Sequence, residues 1–487
     1  MPVAYRIVLL TACLLMAVLP PAAGQEPLTL DEAIRVAREN SPDLRQSRMS
    51  LEQSRERLKA QQASLRSRFS LTLTPFSFNR SREFNPFFST FNTSESREAG
   101  GVFTVNQPLV ATDGVLSLRN QFEWRDAFSE FSDTQTETYS NNLFLAFNQP
   151  LFTYNRTKLE LASVELDLQS AQLNYDLRVL LLEQQVAQAF YSAFQARMRL
   201  QVAEEEYQNT QTSYGIVENK VDAGLAAREE LYQAELNLTN SRSAVQNQRV
   251  GLENALDEFK QLIGMPLDDM VTVAADVSEA VVQVDLQQAL EHGLQHRMEL
   301  RQRQIDIVNA RANLTRAGAT NEFRGNLDLS YGIFGNNEEI DLLYDQPTQS
   351  QSFTVSLEIP LYDWGERKSR MRAAEIGVRQ SELSREETRT QIAIEIRRAV
   401  RTLANQAVQI EIARQNVRVA QLTYDINLER FRNGDLTSMD LNLVQAQLSD
   451  AKTGLVDAMI NYRLALLDLK VKSLYDFERD ASVLDTD

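Results

Sequence analysis

One cysteine, Cys13, stands in 487 residues, so no disulfide can form within the chain and its stability must come from packing or assembly. Glycine and proline are scarce, at 17 and 12, which leaves few places where a helix must break. Histidine occurs twice, as His292 and His296, one helical turn apart. Two imidazoles at that spacing make half a metal site, but no HExxH pattern accompanies them, and the expectation is a pair of surface histidines. No phosphate-cradling glycine loop and no nucleophile constellation is present, so the chain reads as neither an enzyme nor a cofactor protein. Beyond residue 19 no stretch offers eighteen consecutive apolar residues, which excludes a transmembrane helix from an exported chain. Basic residues are outnumbered 50 to 67, for a formal net charge of −17, which argues against nucleic acid as a partner. A solvated, charged helix surface is the ordinary reading of that charge, and an acidic interior passage is the sharper one.

What is present is helix material, with Ala, Leu, Gln, Glu and Arg dominant. The first residues form an export leader: Arg6, an apolar run from Ile7 to Leu19, then Ala22-Ala23-Gly24 as the small residues of a cleavage site. Cleavage after Gly24 is the expectation, giving a leader over residues 1–24. Leu10-Thr11-Ala12-Cys13 also looks like a lipoprotein box, but lipidation there would leave an apolar core shorter than signal cores usually are.

The longest pattern runs over residues 154–214. One seven-residue series reads Leu161, Leu168, Tyr175, Leu182, Ala189, Ala196 and Ala203, and a second reads Val179, Val186, Ala193, Leu200 and Tyr207. Two such series on one face are what a long coiled-coil helix requires. Sixty helical residues would be roughly 90 Å long, and no compact domain has use for such a rod. Elsewhere the period falls to two. Phe69, Leu71 and Leu73 alternate with Ser70, Thr72 and Thr74; Leu143, Leu145 and Phe147 alternate before Gln149-Pro150-Leu151-Phe152. Leu327, Leu329, Tyr331 and Ile333 repeat the pattern, as do Phe353, Val355, Leu357, Ile359 and Leu361. These are strands near the ~9 to 11 residues needed to cross an outer membrane at a tilt.

The chain is duplicated. Leu30, Asp43, Leu44, Leu58, Leu71 and Leu73 correspond at one offset to Leu286, Glu299, Leu300, Leu314, Leu327 and Leu329. Tyr214, Gly224, Glu230 and Leu231 correspond at another to Tyr424, Gly434, Asp440 and Leu441. The first repeat spans residues 25–264, with helices at 30–66, 154–214 and 226–263 and strands at about 69–78 and 142–152. A linker over 265–284 leads to the second repeat, 285–475, with helices at 285–320, 364–431 and 436–470 and strands at about 326–334 and 352–362. Residues 476–487 form a tail. Residues 80–141 break the symmetry: Val102 to Leu109 resembles Phe144 to Leu151, and Leu116, Leu118, Phe122 and Trp124 alternate. Either an additional membrane hairpin or an extracellular loop fits, and the matching halves favour the loop.

Four spanning strands cannot close a barrel, since bacterial outer-membrane barrels start at about eight. An open sheet edge is not tolerated in lipid, so the chain must assemble with copies of itself. The contrasting reading is a periplasmic coiled-coil scaffold or adhesin without a pore.

At this point the chain resembles the TolC-type outer-membrane efflux family over essentially its whole mature length. The resemblance rests on Leu30-Asp31-Glu32-Ala33 with Ser41-Pro42-Asp43-Leu44, the Gln-Pro-Leu-Phe strand ends, Leu262-Ile263-Gly264-Met265-Pro266 and two helix-reversing turns, one in each half. It implies a mainly α fold with transmembrane β: two repeats of long antiparallel helices forming a periplasmic α-barrel, and four strands per chain contributing to a twelve-strand outer-membrane barrel. It further implies a homotrimer in outer-membrane lipid, docked to a periplasmic adaptor and an inner-membrane pump of the RND or ABC type. The function implied is passive exit for efflux or type I secretion. The turns, Val221 to Ala226 and Phe431 to Thr437, are where the family meets its adaptor, which carries that role over to Gly224, Leu225, Ala226, Gly434, Leu436 and Thr437. Six residues past each Gly stand Glu230 and Asp440; family members with an aspartate at the second position ring the closed tunnel mouth with it. Leu443 and Leu436 replace the further aspartate and the arginine that some members carry. Capping of a helix N-terminus is the alternative use of either acid.

Overall fold

The computed structural model describes residues 27–275 and 281–483. The leader over residues 1–24, with Cys13, lies outside the described residues, as does the end of the tail, 484–487. Among the described residues, eight α-helices and one large sheet carry the fold: α1 (Leu30–Asn40), α2 (Pro42–Ser64), β1 (Arg68–Asn85), β2 (Thr90–Leu109), β3 (Gly114–Ser129), β4 (Thr134–Leu151), α3 (Arg156–Asp222) and α4 (Arg228–Ile263). The second half follows with α5 (Leu286–His296), α6 (Met298–Gly318), β5 (Arg324–Asn337), β6 (Thr348–Glu358), α7 (Glu366–Asn433) and α8 (Ser438–Ser473). A two-residue pair, β7 (Tyr475–Asp476) and β8 (Ala481–Ser482), closes the described chain. Long helices in antiparallel sequence with an antiparallel sheet are the fold class the resemblance implied.

Local chemistry sets the helix limits. Thr29 and Glu32 form a reciprocal capping box at the start of α1, and Pro42 occupies the first position of α2, where its missing N–H costs nothing. The Thr29 backbone and hydroxyl hydrogen bonds hold the Glu32 carboxyl below its usual pKa. Asp285 caps α5 by accepting from the Gln287 N–H at 2.9 Å. The helices of 67 and 68 residues, α3 and α7, are uninterrupted because neither contains proline.

The sheet corrects the reading of residues 80–141. The order is β1-β2-β3-β4-β5-β6, every neighbour antiparallel, so one chain supplies six strands to it instead of four. β2 and β3 pair from Ser94↔Ser129 to Leu109↔Gly114, and β3 continues into β4 from Val115↔Asn148 to Ser129↔Thr134. The period-two alternation of Leu116, Leu118, Phe122 and Trp124 determined this, because each needs a cross-strand neighbour on its own face. Symmetry between the halves did not: where the first half has this hairpin, the second joins β5 to β6 through a short segment holding one 3-10 turn, Ile340–Leu342.

The chain divides into two compact units, each built from pieces of both repeats. One comprises, of the described residues, those within 27–41, 182–281 and 403–467. There α1 packs on α4. Fully buried Phe190 and Phe259 meet at 5.9 Å between ring centroids, and Arg38 pairs with Glu183. Leu28 and Val273 form a parallel bridge, and Arg197 donates to the Val273 carbonyl at 2.6 Å.

The other unit comprises residues 42–181, 282–402 and 468–487 and holds the sheet. Its helical core includes Ala289, Ile392, Ile396, Leu469 and Leu474. Beside them Arg297, whose side chain is 13% exposed, donates through Nε to Glu299 at 2.8 Å and lies 3.4 Å from Glu395. Burial works to raise the Glu299 pKa, but the hydrogen bond and charge of Arg297 outweigh it and hold the carboxyl below its ordinary value. A depressed carboxyl stabilises the fold above its unfolded pKa, and that contribution is lost as pH falls through the folded value. Arg297→Ala should therefore lower unfolding free energy by about 2 kcal/mol near pH 7. The deficit should shrink below about pH 4. Urea unfolding followed by circular dichroism at the two pH values checks this, and an equal deficit at both would refute the ionic account.

Candidate functional site

The two helix-reversing turns come together in the first unit. Each is forced by a glycine in the left-handed region, Gly224 at φ +74° and Gly434 at φ +89°. The same hydrogen bonds close both: Gly224 N–H to Val221 O and Leu225 N–H to Lys220 O, then Gly434 N–H to Phe431 O and Asp435 N–H to Arg430 O. This six-to-one and five-to-two pattern satisfies the last carbonyls of α3 and α7. Open space surrounds both glycine α-carbons, so the backbone angle, not crowding, is what demands glycine.

Beneath the turns lies one apolar cluster drawn from all four helices: Val217, Ala234, Tyr424, Phe431, Leu441 and Leu448 are buried, with Val221, Leu231 and Leu436 packed against them. Lys220 crosses from one turn to the other. Its ammonium donates to the Phe431 carbonyl at 2.5 Å and sits 4.7 Å from the centre of the Phe431 ring. Nearly three turns further along α3, buried Gln445 donates to Glu206 O at 2.7 Å and to the Thr210 hydroxyl at 3.0 Å. These bonds lock the two helical hairpins in register. Burial raises the pKa of the Tyr424 phenol, and the nearby Glu218 carboxylate raises that of Tyr214.

The residues singled out from the sequence separate into two kinds. Gly224, Leu225, Gly434 and Thr437 are exposed on the turns, Leu225 at 79%, whereas Ala226 is half-buried and Leu436 packs into the cluster. Glu230 and Asp440 occupy equivalent places in the first turns of α4 and α8 but are held differently. Thr437 donates its hydroxyl to the Asp440 carboxylate at 2.7 Å and accepts the Asp440 N–H at 3.2 Å, a cap. Ala227, before α4, offers no such side chain, and Glu230 is free of that duty.

Sequence reading passed over Lys220, Phe431 and Gln445. Phe431 closes the periodic run of α7 and was legible as the last core position; a lone lysine or glutamine carries no such mark. Tyr232 and Met439 were also passed over: like Leu225 they are exposed apolar side chains, at 65% and 71%, and Leu443, read only as the replacement of an aspartate, is 60% exposed. His292 departs from the surface expectation. It is half-buried, its ring 4.5 Å from that of Tyr475 and 5.9 Å from that of His296. Among the described residues no three His, Cys, Asp or Glu side chains gather as a metal site.

Two helical hairpins reversed by glycine turns, in a chain that also forms an antiparallel sheet, define the class. The chain belongs to the outer membrane efflux protein family, whose model matches residues 123–265 and 290–471, more than half its length. The family is one of outer-membrane channels, not enzymes. The cation efflux system protein CusC of Escherichia coli K12 is 24% identical over 286 residues, covering 58% of this chain and 61% of that protein. The proteases secretion protein PrtF of Dickeya chrysanthemi is 22% identical over 287 residues, 58% of this chain and 62% of that protein. The chain thus spans less than two thirds of these relatives. Solved structures agree in fold: CusC superposes with a TM-score of 0.68 at 18% identity over 91% of both chains. The CmeC channel of Campylobacter jejuni gives 0.68 at 14% identity, over 91% of this chain and 85% of that one.

Phe431 is the keystone of the paired turns. Phe431→Ala should cost about 3 kcal/mol locally, because the hairpins cannot collapse onto the cavity. Limited trypsin digestion should then cut after Arg430 or Arg432 at a protease level that leaves the parent intact; unchanged resistance would refute the packing role.

Proposed function

We propose that the protein is an outer-membrane exit duct, through which substrates pass passively from a periplasmic adaptor and an inner-membrane transporter to the exterior. The observation that carries this reading is the two-faced character of the sheet's edge strands. On β1, Phe69, Leu71 and Leu73 stand on one face at 67%, 62% and 65% exposure, and Phe353, Val355 and Leu357 continue that face on β6. Ser70 and Thr72, then Thr354 and Ser356, take the other. An apolar exterior with a polar interior is the pattern of a membrane barrel.

Six strands fall short of the roughly eight that close a barrel, and both edges are open, so copies of the chain must supply the remaining wall. Three copies are the assembly we favour. Two further features support a neighbouring copy: a groove of about 890 Å³ at the foot of β6, where Ile359, Leu361 and Tyr362 lie exposed, and an exposed seam on α7 through Val408, Ile412, Val419 and Ile426. The seam's four- and seven-residue spacing suits a helix partner.

At the turns, the exposed surface of Leu225, Tyr232 and Met439 suits the helical hairpins of an adaptor. Gly224, Ala226, Gly434, Leu436 and Thr437 shape that surface. Glu230 and Asp440 from each copy form an acidic ring at the mouth, which favours cations. CusC is named for cation efflux and PrtF for protease secretion, so the likeness accommodates a pump of either the RND or the ABC type.

Single-channel recording of the purified protein in a planar bilayer tests the reading. Small, cation-selective openings are expected. Glu230→Ala should reduce cation selectivity by roughly two- to threefold, since it removes charge without touching a cap. Asp440→Ala should do the same while also costing about 1 kcal/mol at the start of α8. Unaltered selectivity in both would eliminate the ring; a folded trimer without conductance would replace the duct with a pore-free scaffold.

A further inference from the structure

On the basis of the duct proposed above, we infer that the β2–β3 hairpin is part of the membrane wall, so that three copies close an eighteen-strand barrel, three times the six of one chain. The hairpin spans the full height of the sheet. β2 runs beside β1 down to Arg68↔Asn106, and β3 starts beside the last rungs of β4 at Val115↔Asn148. The turn between β2 and β3 therefore lies at the end of the sheet where β4 leaves for α3, and it is tied to that helix. Asn155 donates to the Val110 carbonyl at 2.7 Å, and the Asp113 carboxylate accepts the Thr157 N–H at 2.9 Å, serving α3 as a cap. A loop confined to the cell exterior could not reach the start of a periplasmic helix.

The faces of the hairpin continue those of the sheet. Cross-strand register places Leu118 opposite Leu145, Leu116 opposite Phe147 and Val105 opposite Phe69, all on the apolar side. Trp124 and Tyr139 face each other above them, and their N–H and O–H both donate to Glu137, at 2.8 Å and 3.0 Å. One rung higher, charges occupy the same side: Arg97 pairs with Asp126 at 3.6 Å. Interrupted only by the Asn120–Asn141 amide pair, which satisfies its own hydrogen bond at 2.7 Å, the apolar residues of these rungs end in an aromatic row and then in ion pairs, which marks a membrane border. From Leu116 to Trp124 the height of these rungs matches the ~9 to 11 residues a tilted strand needs.

The opposite side of β3 is a polar ladder. Arg119 donates to Gln121 at 3.0 Å, Gln121 to Glu123 at 3.3 Å, and Arg125 pairs with Glu98 of β2 at 3.4 Å. No such run of charge belongs in lipid, so this side lines the passage. Because barrel diameter grows about linearly with strand number, the passage is about one half wider than a twelve-strand barrel would give.

The test is a cysteine scan of the intact protein in liposomes, read by labelling with a membrane-impermeant maleimide. Cys13 is the one native thiol and falls in the expected leader, and a Cys13→Ser background serves as the blank. Arg119→Cys, Gln121→Cys and Glu123→Cys should label roughly tenfold faster than Leu118→Cys and Phe122→Cys, as water-lined and lipid-facing positions of a barrel strand do. Thr72→Cys against Leu71→Cys on β1, and Thr354→Cys against Val355→Cys on β6, are the controls. Alternation at the controls with uniform labelling in the hairpin would overturn this inference and leave the duct standing. Loss of alternation at the controls as well would overturn both. Electron microscopy of the trimer gives the second reading: a ring of twelve strands with the hairpin outside it would overturn the wider barrel.

Discussion

Backbone hydrogen bonding in a medium without water is the constraint on which this molecule depends. A strand edge left open in lipid leaves a row of N–H and C=O groups unpaired, at several kcal/mol each. The sheet here ends at β1 on one side and β6 on the other, with apolar side chains exposed up to both edges. One chain cannot remove those edges. In the duct we propose, assembly is thus a condition of the fold, and the absence of disulfides fits a chain whose stability would come from such contacts.

The paired turns meet a different demand, that of holding two helix reversals at one place without fusing them. The glycine angles settle the direction of the chain, and the cluster around Phe431 settles the distance between hairpins. Lys220 and Gln445 add polar bonds between hairpins, and because these are directional they fix register where apolar contact alone would allow sliding. The two acids differ in consequence. Asp440 serves its own helix, and Glu230, lacking a capping partner, keeps its charge available.

Much of the fold was legible because its signals are periodic. Heptads gave α3 and α7, alternation gave the strands, and duplication gave the order in which they recur. The one misreading, over residues 80–141, came from weighing the symmetry of the halves above the local pattern; Leu116, Leu118, Phe122 and Trp124 had already declared a strand. At the turns the glycines were legible since few residues tolerate their angles. The exposure of Leu225, Tyr232 and Met439 was not, because exposure is a property of neighbours that sequence does not list.

The sequence alone therefore determined the elements and the order in which they recur, since these follow from local propensity and spacing, and its resemblance to a known family pointed to the family. Tertiary structure decided how many strands share the sheet, which side of the hairpin faces which neighbour, and that Asp440 is bound in a cap while Glu230 is not. The physical reason is the same in each case. Periodicity fixes what a segment can become, but hydrogen-bond partners and burial are settled between segments far apart in the chain, as when Asn155 binds Val110 or Lys220 reaches Phe431.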